Sequence, residues 1–213
     1  MKTQIYLIRH GESEGNKARA FLGHTDLDIT ETGHIQAENT ARFLKDIKAD
    51  VIYSSDLIRA YNTALHTAEM KGMEIIKNSN LREIYAGQWE TLKFTELEDR
   101  FKNEYGVWKE NIGEASCPGG ESTAQLQKRI VTEVTKIARD NQGKTVFIFT
   151  HATPLRVFKA YCDGKGLDGI KDVPWSTNAS VTHVEYENGK FNVIQYGIDY
   201  FQDKDITKLP ANV

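Results

Sequence analysis

Short apolar runs alternate along the chain with longer segments in which apolar residues recur every three or four positions. The short runs predict buried strands at residues 4–9, 50–54, 74–77 and 146–150, and the longer segments predict helices that bury one face. Strands that alternate with helices favour an α/β domain. We therefore predict a three-layer α/β/α sandwich with a mostly parallel central sheet.

The first long helix begins after a suitable capping residue. The hydroxyl of Thr30 can accept a hydrogen bond from a free N–H of the first turn, and the pattern extends to about residue 48. Ile35, Leu44 and Ile47 fall close to one side at helical spacing. We predict that these three residues form the inner face of the helix.

Three further helices carry start signals. Ser55 or Asp56 can cap a helix after the second strand. Ser122 and Gln125 fit a capping box, in which each side chain bonds the other residue's backbone N–H. Pro154 fits the first position of a helix after the strand at 146–150, where its missing N–H costs least.

Residues 91–112 also have a helical pattern, but they are highly charged. We predict that they belong to an outlying helical cap, inserted at about residues 91–117. The rest of the chain shows no repeat and no low-complexity segment, and its length suits one core. Residues 1–213 are therefore predicted to form a single domain that includes the cap.

Two alternating apolar segments, 181–186 and 191–196, are joined by Asn188 and Gly189. An Asn-Gly pair between alternating segments is typical of a two-residue hairpin turn. The hairpin offers a sheet edge with which a second copy could pair in a homodimer, or which the chain itself covers. The sequence leaves these two possibilities open.

Charge and composition narrow the class of partner. The chain of 213 residues has a formal net charge of −3, with acidic and basic residues interspersed, which argues against nucleic-acid binding. The apolar run at 5–8 is too short for a signal peptide, and no run approaches a membrane span. Cys117 and Cys162 lack metal-like spacing, and free thiols in a cytoplasmic protein are the simpler interpretation.

Four candidate catalytic residues fall at the ends of the predicted strands. His10 follows the first strand, Arg59 lies just after the second, Glu83 follows the third and His151 follows the strand at 146–150. Each alone is more simply explained as a structural or surface residue. Ligands bind at the carboxyl ends of the strands in open α/β sheets, so we expect the four side chains to meet in one crevice.

The motifs around these residues resemble those of the histidine phosphatase superfamily, in its phosphoglycerate-mutase-like branch. The similarity extends over about residues 4–195 and is specific because the motifs occur in the family's order. They are Leu7-Ile8-Arg9-His10-Gly11-Glu12-Ser13 with Asn16, Phe21-Leu22-Gly23, Asp28-Ile29-Thr30-Glu31-Thr32-Gly33, Tyr53-Ser54-Ser55-Asp56-Leu57-Ile58-Arg59-Ala60, Leu81-Arg82-Glu83 with Gly87 and Trp89, Pro118-Gly119-Gly120-Glu121-Ser122 and Thr150-His151.

The resemblance implies a role for each core residue. His10 is the position that becomes phosphohistidine, and Arg9, Arg59 and His151 surround the phosphoryl group. Glu83 matches the proton donor. Three more positions match residues that line the phosphate and substrate site: Ser13, Asn16 and Gly23.

The chemistry of phosphoryl transfer agrees with these roles. The reaction depends on positioning and on neutralising charge, which two arginines and a protonated His151 could supply. The sequence has no Walker A loop and no obvious carboxylate cage for Mg²⁺, so we expect no metal and no cofactor. His10 must be neutral at the attacking nitrogen, and we expect a backbone carbonyl to hold its other N–H.

Some positions depart from the family pattern. The family usually has glycine where this chain has Ala152, which is followed by Thr153. Either the extra methyl group narrows the pocket or the Thr153 hydroxyl binds the phosphate. Glycine is also usual at the position of Thr91, and mutases usually carry a hydroxyl at the position of Leu22.

Three functions remain to be compared. A cofactor-dependent phosphoglycerate mutase would need a second cationic site, and its relatives carry a longer insertion with paired arginines that this chain lacks. A catalytically inactive binding module is disfavoured because all the core residues are present. We therefore predict hydrolysis of a small phosphorylated metabolite. The identity of this substrate depends on the cap and on the surroundings of Tyr85, Trp89 and Trp108. Either Tyr85 and Trp89 face the leaving group, or Trp89 belongs to the core of the cap.

Overall fold

Alternate residues of the central strands face opposite sides of one sheet. Because both faces are apolar, a layer of helices packs on each of them. The computed structural model describes residues 1–205. Within them one six-stranded sheet has the order β3-β2-β4-β1-β5-β6. The strands are β1 (Thr3–Arg9), β2 (Val51–Ser54), β3 (Ile75–Lys77), β4 (Thr145–Thr150), β5 (Val181–Glu187) and β6 (Lys190–Ile198).

The pairing of the strands confirms the predicted, mostly parallel sheet and shows that it is mixed. Strand β4 pairs in parallel with β1 and with β2, and β2 pairs in parallel with β3. Strands β5 and β6 are antiparallel and form one edge. The carboxyl ends of β1, β2, β3 and β4 therefore lie along the same side of the sheet.

Helices cover both faces, which confirms the three-layer α/β/α architecture. In β4, Phe147 and Phe149 join a cluster with residues of α2 and α3 defined below, while Val146 and Ile148 join a larger cluster with residues of α6 and α7. The helices are α1 (Glu14–Ala18), α2 (Glu31–Leu44), α3 (Ile58–Lys71), α4 (Phe94–Arg100), α5 (Lys102–Glu110), α6 (Thr123–Asp140) and α7 (Ala152–Cys162).

The inner face of α2 differs from the prediction. Leu44 is fully buried, but Ile35 is 43 % exposed and Ile47 lies beyond the end of the helix. Small residues such as Ala37 and Ala41 form the buried face instead. Position 35 is rotated by about 200° from position 37, so both cannot face the sheet.

Two predicted helix starts are confirmed. The Thr30 hydroxyl accepts from the backbone N–H of Gly33 at 3.1 Å and caps α2. Ser122 caps α6, and its capping box is complete, because the Gln125 side chain accepts from the Ser122 N–H at 2.8 Å. Local sequence was sufficient at both places because each cap bonds within its own first turn.

The other two helix starts are shifted. Helix α3 has Leu57 as its N-cap residue, and neither Ser55 nor Asp56 serves as the predicted cap. The carboxylate of Asp26, from a distant loop, accepts the first N–H of α3 at 2.6 Å. Pro154 is the third residue of α7 and not the first, but the N–H groups of the first turn have no partner inside a helix in either case.

The cap is less separate than its charge predicted. Leu97 of α4 and Tyr105 and Trp108 of α5 are buried, and they belong to the same apolar cluster as the sheet residues Val146 and Ile148. The charged residues of the two helices are mostly exposed. The cap therefore shares the main core of the protein.

The remaining expectations concern the hairpin, the thiols and membranes. Asn188 and Gly189 both have positive φ, 52° and 81°, as the predicted two-residue turn requires. Cys117 and Cys162 are free. Among residues 1–205, none of the helices combines the length and the apolar character needed to cross a membrane.

Candidate active site

His10 directly follows β1 and is held by its own backbone and by one ring bond. The backbone N–H of His10 donates to the carbonyl of Thr150 at 3.0 Å, and its carbonyl accepts from the N–H of Ala179 at 3.1 Å. The ring Nδ1 lies 2.7 Å from the carbonyl oxygen of Gly11. Since a carbonyl only accepts, Nδ1 carries the hydrogen and Nε2 keeps its lone pair.

His10 is also held in the neutral form. Its side chain is almost completely buried, and burial, together with the charges of Arg59 and Arg9, holds the pKa of His10 well below its ordinary value. A neutral imidazole with a free Nε2 is the form that can attack phosphorus.

Two buried guanidinium groups flank His10. Arg59, the second residue of α3, donates to the carbonyls of Gly23 at 2.7 Å and Thr25 at 2.9 Å. Arg9, the last residue of β1, donates to the carbonyl of Ser176 at 2.5 Å. Burial lowers the pKa of each arginine to about 10, while Glu83 opposes that shift. Both arginines therefore stay charged at neutral pH.

His151 lies behind His10, at the start of α7. The two ring centroids are 5.1 Å apart, and Nε2 of His151 lies 2.8 Å from the Ser55 hydroxyl. Burial, with Arg59 and His10 nearby, holds the pKa of His151 well below its ordinary value. The surroundings of His151 therefore disfavour the protonated form that we expected, and a nearby anion would be needed to favour it.

Glu83 reaches the same pocket from the loop after β3. Its Oε1 accepts from the N–H of Ile84 at 2.8 Å, and its Oε2 accepts from the N–H of Thr153 at 3.2 Å. The backbone carbonyl of Glu83 accepts from Arg129 at 3.0 Å and lies 2.9 Å from Nε2 of His24. Thr153 thus orients Glu83 through its backbone, a contact that the sequence did not predict.

Asn16 and Ser13 form a network under the nucleophile. The Asn16 Oδ1 accepts from the Ser13 hydroxyl at 3.0 Å, from the Ser13 N–H at 3.1 Å and from the Asn178 amide at 3.0 Å. Asn178 also donates to the carbonyl of His10 at 3.1 Å. With its oxygen occupied, Asn16 has its amide N–H groups left for an oxygen of a ligand.

Most of these side chains line one open cavity. The sequence-predicted site residues line it, except for His151, which lies behind His10. Its other lining residues are mostly apolar. The complete lining is Arg9, His10, Ser13, Asn16, Ala20, Phe21, Leu22, Gly23, Arg59, Glu83, Phe94, Trp108, Ala152, Thr153 and Trp175.

Sequence reasoning missed part of this lining. Ala20, Phe94 and Trp175 carry no motif, and Trp175 comes from the loop before β5. Trp108 was singled out because it lies in the cap, and it does line the cavity. Trp89 is fully buried among other aromatic rings, which supports its interpretation as cap core; Tyr85 is exposed, and neither residue lines the cavity.

Within residues 1–205, no three side chains of His, Cys, Asp or Glu are grouped so that they could hold a metal ion. Among these described residues, Arg9, Arg59 and Glu83 are the charged side chains that line the cavity, and the neutral His10 lines it with them.

Comparison with known proteins identifies the family. The profile of the histidine phosphatase superfamily (branch 1) matches residues 5–199. Phosphoserine phosphatase 1 of Hydrogenobacter thermophilus is 32% identical over 198 residues, which cover 92% of each chain. A metal-independent phosphoserine phosphatase of Arabidopsis thaliana is 33% identical over 179 residues, covering 80% of this chain and 75% of the relative.

A solved structure gives the same result at the level of the fold. The structure titled Bacillus stearothermophilus YhfR superposes with a TM-score of 0.90 at 29% identity, over 93% of this chain and 98% of that one. The motifs, the fold and the matched profile agree over nearly the whole length. The chain therefore belongs to branch 1 of the histidine phosphatase superfamily.

Proposed function

We propose that this chain hydrolyses small phosphomonoesters through a phosphohistidine on His10, without a metal ion. Its membership of the histidine phosphatase superfamily and its similarity to named phosphatases make it a hydrolase of phosphate esters. The roles of the individual residues are our proposal. The observation that carries it is the bond between His10 Nδ1 and the Gly11 carbonyl, which leaves Nε2 as the free nucleophile beside two buried guanidinium groups.

The first step transfers the phosphoryl group to the enzyme. The lone pair on His10 Nε2 forms a bond to phosphorus while the bond from phosphorus to the ester oxygen breaks. Glu83, protonated in the substrate complex, gives its proton to that oxygen, and a neutral alcohol leaves. Arg9 and Arg59 neutralise the charge on the remaining phosphoryl oxygens. His151 takes up a proton from solvent when the phosphate ester binds, and it returns that proton to solvent when orthophosphate leaves.

The second step releases phosphate. Glu83, now a carboxylate, takes a proton from water as the water oxygen attacks phosphorus, and the bond between phosphorus and Nε2 breaks. Orthophosphate leaves, and His10 is again neutral with its lone pair on Nε2. The N–H groups of Ile84 and Thr153 hold the Glu83 carboxyl group in place, as the acid in the first step and as the carboxylate in the second.

Mutase activity is the second candidate, because relatives with phosphoglycerate mutase names are also found. A mutase must hold a bisphosphorylated intermediate and therefore needs cations at both ends of the pocket. The outer lining of this pocket is apolar: Ala20, Phe21, Leu22, Phe94, Trp108 and Trp175. This favours hydrolysis, as we predicted.

The deciding experiment is an assay of purified protein on a panel of phosphomonoesters in EDTA. We expect release of orthophosphate without added 2,3-bisphosphoglycerate and acid-labile labelling of His10 in rapidly quenched samples. His10→Ala should abolish both, while His34→Ala, which changes an exposed histidine of α2, should abolish neither. Loss of activity in EDTA would count against the metal-free mechanism. Net isomerisation of 3-phosphoglycerate would favour the mutase, and absence of any labelling would favour the inactive binding module.

Three coarser features of the chain are also proposed. We propose that residues 1–213 act as one domain with its cap, which the shared core cluster supports. A cytoplasmic location is supported by the free Cys117 and Cys162. A homodimer through the edge strand β6 stays a prediction; light scattering of the purified protein would test it, and a monomer at micromolar concentration would contradict it.

A further inference from the structure

We infer that the alcohol released by this enzyme is apolar, in the class of aryl and arylalkyl alcohols, and carries no ionised group next to the ester. The inference rests on the proposed phosphatase function and adds the class of its leaving group. It comes from the distribution of charge and carbon surface along the cavity, from the phosphoryl end at His10 to the outer end at Trp175.

Within the described residues 1–205, the charged side chains that line the cavity lie at its phosphoryl end. Among the lining residues, Arg9, Arg59 and Glu83 are charged, and each has a role in the transfer proposed above. Both arginines also donate to backbone carbonyls, which fixes their side chains near His10. A second ionised group on the substrate therefore finds no charged side chain of its own among these lining residues.

Apolar side chains form the outer end of the cavity, which we call the wall. It is formed by Phe21, Leu22 and Trp108, which are buried, and by Ala20, Phe94 and Trp175, which are half-buried. Burying a carboxylate or an ammonium against such a surface without a partner is strongly unfavourable, because the ion loses its hydration and gains no compensating bond. An aromatic or alkyl group instead gains from leaving water at the same place.

Contacts between its own side chains and with Arg156 hold the wall in place. The rings of Phe21 and Trp108 meet edge to face with centroids 5.1 Å apart, and Trp108 stacks with Trp175 at 6.5 Å. The guanidinium of Arg156 lies 4.3 Å from the centroid of the Trp175 ring. A wall fixed by its own contacts binds an apolar group without paying for its ordering.

Three cations that are close to the wall in space or in sequence do not line the cavity. Arg156 donates to the carbonyls of Val173 at 2.7 Å and Lys171 at 3.2 Å, and it does not line the cavity. Arg19 and Lys93 adjoin lining residues in sequence, but both are exposed and neither lines the cavity. The surroundings therefore favour a neutral apolar alcohol over serine or glycerate as the leaving group.

The test compares esters of primary alcohols, which all need a proton from Glu83. Purified protein in EDTA is assayed with 2-phenylethyl phosphate, ethyl phosphate, O-phosphoserine and 3-phosphoglycerate. We expect kcat/KM for 2-phenylethyl phosphate to exceed that for O-phosphoserine by about 30-fold or more, because only the first gains from the wall. A higher kcat/KM for O-phosphoserine or 3-phosphoglycerate would overturn the inference and leave the phosphatase function intact.

Two alanine variants show whether the preference for the apolar ester depends on the wall of the cavity. Phe94→Ala should lower kcat/KM for 2-phenylethyl phosphate about tenfold more than for ethyl phosphate. Phe101→Ala removes another half-buried phenyl ring that packs on Trp89 outside the cavity, and it should leave the ratio of the two esters unchanged. Equal ratios in the two variants would contradict the inference. Release of no phosphate from any ester, p-nitrophenyl phosphate included, would instead overturn the proposed function.

Discussion

Arg129 of α6 donates a hydrogen bond to the backbone carbonyl of Glu83 at 3.0 Å, although 46 residues separate the two in sequence. The same guanidinium donates to the carbonyls of Asn80 and Arg82, both at 2.9 Å. Glu121 fixes it from the other side with bonds of 3.0 and 2.8 Å. Arg129 is thus a positioning residue that ties the loop of the proposed proton donor to a long helix.

We expect Arg129→Met to lower kcat on alkyl phosphates about tenfold, because a loosened Glu83 transfers its proton less efficiently. The effect on p-nitrophenyl phosphate should be small, since nitrophenolate leaves without a proton. Steady-state kinetics on ethyl and p-nitrophenyl phosphate measure the difference. Arg139→Met, at an exposed arginine of the same helix, is the control. Equal losses on both esters would indicate a general structural defect.

Glu83→Gln tests the proposed proton donor itself. The amide keeps the shape of the side chain but cannot give a proton to the leaving oxygen. We expect a loss of about 10²–10⁴ in kcat on alkyl phosphates and a far smaller loss on p-nitrophenyl phosphate. A comparable loss on the two esters would remove Glu83 from the role of acid.

The two buried histidines make stability depend on pH. Their folded-state pKa values lie below the ordinary value, chiefly because of burial. Below pH about 6.5 the unfolded chain takes up protons that folded His10 and His151 do not, so the free energy of unfolding falls as the pH falls. Above that pH both states are neutral at these positions, and the full stability is present.

Urea unfolding at pH 7.5, 6.5 and 5.5 measures this dependence. His151→Gln should reduce the slope of the unfolding free energy below pH 6.5 by up to about 1.4 kcal/mol per pH unit. Saturating orthophosphate should also flatten the slope of the unaltered protein, because the bound anion favours a protonated His151. An identical slope in the variant would show that His151 does not titrate as we expect.

Thr91 has a φ of 66°, in the left-handed region that a β-branched residue adopts at a cost. The glycine that the family resemblance leads us to expect at this position would adopt this φ without that cost. We expect Thr91→Gly to raise the free energy of unfolding by about 1 kcal/mol. Thr95→Gly, inside α4, should lower it by a similar amount, about 0.5–1 kcal/mol, and serves as the matched control. Destabilisation by both changes in urea unfolding would contradict the assignment of strain to Thr91.

Local sequence patterns predicted most of the fold. They failed where contacts between distant parts of the chain determine the structure. Thr30 and Ser122 cap helices through bonds to their own first turns, so sequence predicted them. The start of α3 depends on Asp26, thirty-two positions away, and no local pattern indicates that. Ile35 was misplaced because an apolar residue close to the right spacing does not have to face the sheet.

The residues of the site also divide into those that the sequence predicted and those that it did not. His10 and Glu83 follow strands at one edge of the sheet, and the family motifs name them. Phe94 and Trp175 reach the cavity from a cap helix and a loop, and aromatic residues at such places are as common in cores as in binding sites. Their role became visible only when the tertiary structure brought them together.

The sharing of one core by the cap and the sheet limits how this enzyme can acquire new substrates. Phe21 and Trp108 line the cavity and also pack in the cluster that stabilises the whole fold. Substitution of either residue during evolution therefore changes both the fit of the substrate and the stability of the fold. Phe94 and Trp175 are half-buried and less constrained. New specificities in this lineage should therefore arise first through substitutions of Phe94 and Trp175, while Phe21 and Trp108 stay unchanged.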